Sequence, residues 1–220
     1  MRNVAAVNML YDAFMPETGK RSYHHGDLRA SLVKTAAQLL EKKGVSALSL
    51  RRVAREAGVS HTAPYRHFRD KQALLEAVAA SGFEALEARL DEVVEKHPDD
   101  ARRQIIEASR VYLDETLTHP ERAHLMFGGF IDPETRSATL SEAIESSFMK
   151  FVEAIRRGEE SLFRDLPTRD LVIALWSAIH GLALLAIGGR IRDMDPELDP
   201  NALVERMVEN LFAGLAKPQT

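Results

Sequence analysis

Residues 49–68 read SLRRVAREAGVSHTAPYRHF, a run in which the polar positions all suit one task. Arg51, Arg52, Arg55 and Arg66 are cations, His61 and His67 carry ring nitrogens, and Ser49, Ser60, Thr62 and Tyr65 carry hydroxyls. Such groups hold phosphate oxygens and hydrogen-bond to base edges. The apolar positions among them, Val53, Ala54, Ala57, Val59 and Phe68, are mostly small, as two short helices crossing at a steep angle require. Ser49 suits the N-cap of the first helix, and Ser60 that of a second from about His61 to His67. Gly58 can take the positive φ of the tight turn between them. The expected unit is a helix-turn-helix whose second helix enters the major groove with its N-terminal residues foremost. A helical hairpin with a solvated, charged outer face would use the same residue types, so the rest of the chain has to weigh in.

The 220 residues carry a net charge of −4, unevenly spread. Lys20 to Lys71 holds 12 Lys and Arg against four acids, a net +8, whereas Gln72 to Thr220 holds 16 against 27, a net −11. Four of the eight histidines, His24, His25, His61 and His67, also fall in the basic stretch. A basic head on an acidic body implies that the head meets a polyanion and the body does not. Cysteine is absent, which excludes disulfides and thiolate chemistry and fits a reducing cytoplasm. Met1 to Lys20 lacks a basic segment followed by an apolar one, so no secretory signal is expected. There is no Gly-rich phosphate loop, HExxH motif, paired-carboxylate motif or nucleophile–base set, so neither an enzyme nor a cofactor is expected. No metal is expected either: His24-His25 lacks spaced partners, and His119 and His124 do not share a helical face.

The elements that must position this head are helices throughout, with no convincing strand. Residues 1–19 are weakly patterned and expected to form a mobile extension. A first helix should run from about Asp27, as N-cap, to Lys43, with Leu28, Leu32, Ala36, Leu39 and Leu40 on one face and Gly44 as its stop. After the helix-turn-helix, a long helix should begin near Asp70, and Gly82 within it could mark a bend. Pro98, Pro120, Pro133, Pro167 and the stretch Asp193 to Pro200 then punctuate helices expected at 99–118, 120–129, 134–160, 168–189 and 201–216. The fold class is therefore all-α, with about nine helices. A three-helix DNA-binding bundle (residues 20–71) should precede a larger helical effector-binding and dimerisation domain (residues 72–220).

Leu171 to Gly188 is nearly all apolar over 18 residues, the lower length limit for a membrane span. It contains Ser177, His180 and Gly181, and no other segment is comparable, so no membrane partner is expected. A helix apolar on every side also results when one face meets its own core and another meets a second subunit. The last helix carries a similar face in Leu203, Met207, Leu211, Phe212 and Leu215. Candidate lining residues for an effector pocket in the body are Tyr112, Leu113, Leu117, Met126, Phe127, Phe130, Phe148, Trp176 and His180, which would suit a small apolar or amphipathic effector. The same residues would serve equally as plain core, and a partner protein could replace the effector.

The runs RSYHHGDLR (21–29) and LRRVAREAGVSHTAPYRHFRDK (50–71) resemble the DNA-binding head of TetR-type regulators. Far downstream, Trp176-Ser-Ala-Ile-His180-Gly181 resembles the Trp…His-Gly signature of one subgroup's C-terminal domain. The resemblance implies a homodimeric, ligand-responsive transcriptional regulator, most often a repressor, bound to a near-palindromic double-stranded operator. It also implies that the last two long helices of each chain form a four-helix bundle with their counterparts. Residue by residue, it places Tyr65 and His67 on phosphates and Lys71 on the DNA backbone at the N-terminus of the long helix. Ser49 and Ser60 match capping and phosphate-contacting positions. His61, Thr62 and Arg66 match the positions that choose bases, helped by Arg51 or Arg52, while Lys20, Arg21 and Tyr23 match a basic arm. Pro64 departs from the family pattern, though at so early a helical position a missing N–H is tolerable.

Overall fold

The computed structural model describes residues 26–162 and 167–215, and all of its regular structure is helical. Lys20, Arg21, Tyr23, the histidine pair His24-His25 and the expected N-terminal extension lie outside the described residues. The helices are α1 (Gly26–Lys43), α2 (Leu50–Glu56), α3 (Lys71–Lys96), α4 (Ala101–Thr118), α5 (Pro120–Phe127), α6 (Ala138–Leu162), α7 (Thr168–Ile187), α8 (Arg190–Met194) and α9 (Pro200–Leu215). Short 3-10 turns at Val45–Ala47 and Ala63–Arg66 complete the head.

Local chemistry sets most of the boundaries. Gly44, at φ 73°, ends α1 in a conformation that side-chain-bearing residues avoid. Asp70 Oδ1 accepts from the Ala73 amide at 2.8 Å and opens α3, and Asp100 does the same for α4 through the Arg103 amide at 2.9 Å. The helix expected at 168–189 ends at Ile187, because Gly189 turns left-handed at φ 72° and starts the short α8, which the sequence reading missed.

Helix α3 runs unbroken through Gly82. A Cβ there would sit 2.5 Å from Met126 Sδ and 3.2 Å from Arg122 Cδ, so the glycine permits close approach of α5. One core joins Leu32, Ala36 and Leu40 of α1, Val53 of α2 and Leu74 and Val78 of α3. It takes in Leu125 of α5 and Leu140 of α6 as well, so the head is packed onto the body. A second core joins Ile105 and Leu113 of α4, Ile155 of α6, Leu171, Leu175 and Ile179 of α7, and Val204, Val208 and Phe212 of α9. Arg102–Glu209 and Arg110–Glu205 ion pairs tie α4 to α9 beside it. Leu86 and Leu90, later on α3, pack with Ala108 between the two.

Two carboxylates, one on α1 and one on α3, close the starts of α5 and α6. Glu41 of α1 accepts from the amides of Glu121 (3.4 Å) and Arg122 (3.0 Å) at the start of α5. Glu76 of α3, only 6 % exposed, accepts from the Ser137 amide at 3.0 Å, immediately before α6. Free amides and the positive end of the helix dipole favour an anion at each place.

Among the described residues one helix, α7, is long and apolar enough to cross a membrane, with mean hydropathy 2.0. It packs as a two-faced helix: Leu171, Leu175, Ile179 and Leu182 are buried, whereas Ile173, Leu184, Leu185 and Ile187 are exposed. On α9, Phe212 turns into the chain's own core, leaving Leu203, Met207 and Leu211 half-buried. Leu74→Ala, at a fully buried position near the head–body junction, should lower unfolding free energy by about 2–5 kcal/mol. Urea titration followed by circular dichroism measures this, and a loss well under 1 kcal/mol would contradict the packing described.

Candidate nucleic-acid interface and internal cavity

Helix α2 is held as expected. Ser49 Oγ accepts from the Arg52 amide at 3.2 Å, Leu50, Val53 and Ala54 face inward, and Gly58 takes φ 68° in the turn. The following segment departs from expectation. In place of an α-helix over His61–His67 there is a single 3-10 turn, Ala63–Arg66, with Tyr65 N bonded to Thr62 O and His67 N to Pro64 O. Pro64 supplies the reason: it lacks an N–H and disfavours helical geometry at the residue before it. Its ring is buried against the head. Ser60 is accordingly not an N-cap; its hydroxyl lies 3.2 Å from that of Thr62.

This turn leaves a polar row in solvent. Ser49, Arg51, Ser60, His61, Thr62 and Arg66 are exposed, and Tyr65 projects with half of its surface free. Arg52 and His67 are half-buried, and Arg52 Nε is buried without a partner. Lys71 Nζ donates to the Val45 carbonyl at 3.0 Å, tying the start of α3 to the α1–α2 loop and leaving two further N–H groups. Arg69, which the sequence reading passed over, is highly exposed beside this row and pairs with Asp70 at 3.1 Å. Its lone position between Phe68 and Asp70 gave no periodic signal.

The body holds a partly open cavity of about 500 Å³ between α3, α4, α5, α6 and α7. Of the nine candidates, Tyr112, Met126, Phe127, Phe148 and Trp176 line it. Four do not. Leu113 is fully buried in the second core and does not reach the wall. Leu117 faces a separate hollow of about 400 Å³ with Pro120, Ile187 and Leu198. Phe130 follows the α5 turn outward, is 43 % exposed and packs edge-on against His124. His180 stands behind the wall, sharing a 2.7 Å hydrogen bond through Nδ1 with the Tyr112 hydroxyl and stacking on Trp176 at 5.5 Å. Burial lowers the His180 pKa and raises that of Tyr112, so the pair is neutral near pH 7.

Sequence reasoning missed Phe83, Leu86 and Leu90 of α3, Ile144 and Phe151 of α6, and Arg136 in the loop before α6. The α3 and α6 residues have ordinary core spacing, and Arg136 sits in a polar stretch that reads as solvated loop. Phe127 centres the aromatic part of the wall, 5.5 Å from Phe83 and 5.7 Å from Tyr112, while Phe148 meets Trp176 edge-on at 6.1 Å.

Two family models match the chain. "Bacterial regulatory proteins, tetR family" covers residues 32–78, the helix-turn-helix, and "Tetracyclin repressor-like, C-terminal domain" covers residues 105–211. The chain belongs to the TetR family. An HTH-type transcriptional regulator of Mycobacterium tuberculosis is 25 % identical over 231 residues, spanning 90 % of this chain and 97 % of the relative. A solved structure of a protein of unknown function from Rhodococcus sp. RHA1 is 36 % identical with a TM-score of 0.77, spanning 90 % of this chain and all of the other. The Bacillus subtilis regulator FadR, solved in complex with stearoyl-CoA, shares the fold at 14 % identity and a TM-score of 0.66, spanning 84 % and 98 % of the two chains.

As a TetR-family member, the chain is a DNA-binding transcriptional regulator, and its relatives are regulators rather than enzymes. The matching C-terminal model has a general description that names no Trp…His-Gly subgroup. In this TetR-family body, Trp176 and His180 form a stacked pair beside the cavity. Ser49→Ala should destabilise the fold by about 1 kcal/mol through loss of the α2 cap. An unchanged thermal unfolding curve would show that the cap contributes nothing to so short a helix.

Proposed function

We propose that this chain is a homodimeric repressor that reads a near-palindromic operator through its head (residues 20–71) and is released by an effector in its body (residues 72–220). The observation that carries the reading is the exposed polar row on a Ser49-capped, Gly58-turned helix-turn-helix. In this reading Tyr65, His67, Ser49, Ser60 and Lys71 hold phosphates, while His61, Thr62 and Arg66, with Arg51 or Arg52, face base edges. Lys20, Arg21 and Tyr23 form an arm beside them. The regulator acts in the cytoplasm, where its DNA is.

The exposed apolar side of α7, with the half-buried leucines and methionine of α9, is the dimer surface in this reading. Two recognition turns then address half-sites about 34–36 Å apart, one turn of duplex. Release follows from where the cavity lies. Its wall includes Met126 and Phe127 of α5 and Phe148 of α6, the two helices whose starts are held by Glu41 of α1 and Glu76 of α3. An effector that prefers a different setting of α5 and α6 shifts the population toward heads that no longer match the operator, and the operator opposes effector binding by the same factor.

Arg66→Ala should relax preference at particular base pairs, costing about 1–3 kcal/mol at the selected site. Lys71→Met should weaken all sequences alike and reduce the salt slope by about 1. Binding measured on operator fragments selected from the source genome, across a salt series, separates the two, and unchanged affinities in both variants would overturn the docking. For the dimer, Leu184→Glu places a charge on the exposed apolar stripe and should give a monomer in sedimentation at micromolar concentration. A native chain that already sediments as a monomer would refute the two-fold arrangement.

A further inference from the structure

We propose that the molecule accepted by the cavity is an amphipathic monoanion, a carboxylate on an apolar body, with its charge placed at Arg136. The inference rests on reading this cavity as the effector site and goes on to fix the effector's chemistry.

Most of the cavity wall is apolar, and its hydroxyls are already committed. Ser109 Oγ donates to the Ile105 carbonyl at 2.6 Å, Ser147 Oγ to the Ile144 carbonyl at 3.0 Å, and the Tyr112 hydroxyl is bonded to His180. A polar ligand body would therefore be desolvated with few partners in return.

Among the described residues, Arg136 is the one charged side chain in the wall. Its Nε donates to Ser141 Oγ at 3.0 Å, and no carboxylate among the described residues pairs with its guanidinium. The arginines around the cavity differ: Arg89 is bonded to Asp114 and Glu115, and Arg122 to Glu115. Glu76 and Asp132 accept instead from the Ser137 and Glu134 amides. A ligand that fills the cavity strips water from this guanidinium, so a neutral ligand leaves an uncompensated cation and a cationic one adds repulsion. A carboxylate restores the balance through a charge-assisted fork. One cation matches one negative charge, which disfavours a ligand carrying several phosphates.

Trp176 is the chain's single tryptophan and lines the cavity, so its fluorescence reports occupancy directly. The test titrates the full chain with decanoate, decan-1-ol and decan-1-amine, which share one apolar body and differ in head charge. Decanoate should bind about tenfold or more tighter than decanol, with decylamine weakest. Arg136→Met should bring decanoate to the level of decanol while leaving decanol unchanged, and Arg136→Lys should keep part of the preference. Thermal melts of both variants check that folding is intact. Equal binding of decanoate and decanol, or a preference that survives Arg136→Met, would overturn the charge assignment while the cavity reading stands. If none of the three perturbs Trp176, both the assignment and the cavity reading fall.

Discussion

Two helices of the body begin on carboxylates of α1 and α3, and the relation between the DNA-facing surface and the cavity depends on those contacts. A helix start presents amides with no intrahelical acceptor, and a buried carboxylate needs donors. Glu41 on α5 and Glu76 on α6 satisfy both needs at once. Because α3 carries Glu76 and starts from the Lys71–Val45 contact, one rigid helix connects the recognition turn to the cavity wall formed by Phe83, Leu86 and Leu90. Movement of α5 or α6 therefore has to be matched by α1 or α3, or to break one of these hydrogen bonds. Gly82 adds to this constraint by letting Met126 come close to α3.

The recognition turn shows how one residue can change local structure without moving the surface it presents. Pro64 shortens the segment to a 3-10 turn, yet its buried ring anchors the turn against the head. His61, Thr62, Tyr65 and Arg66 still point outward around that anchor. A stiff, proline-anchored turn loses less entropy on docking than a free loop of the same length.

The cavity combines an aromatic lining with neutral polar groups already bonded, Ser109 and Ser147 on their own helices and Tyr112 to His180. Stacking of Trp176 on His180, and the hydrogen bond between His180 and Tyr112, tie α7 to α4 behind the wall. Burial keeps that pair uncharged, so it stiffens the wall without adding a charge to it. The electrostatic character of the chamber is thereby left to Arg136, supplied by the loop between α5 and α6.

What the sequence determined by itself was chiefly local. Gly44 and Gly58 occupy positive-φ positions, Ser49 and Asp70 cap the helices they precede, and the basic head is legible because its charges are consecutive in the chain. The 3.6-residue spacing on α1 and α3 likewise marks the buried faces, since a helix's own geometry decides which residues share a side. The tertiary structure alone decided what each face meets. Tyr112 and Leu113 are adjacent and both suit a core, yet one lines the cavity and the other is sealed in the second core, because α6, α7 and α9 choose between the sides of α4. Phe130 looks like core and is exposed, Arg136 looks like solvent-facing loop and enters the cavity wall, and Glu41 and Glu76 look like ordinary helix acids. The partners of Glu41 and Glu76 lie 61 to 81 residues away in the chain, and pairing at that separation depends on which helices pack together rather than on any local pattern.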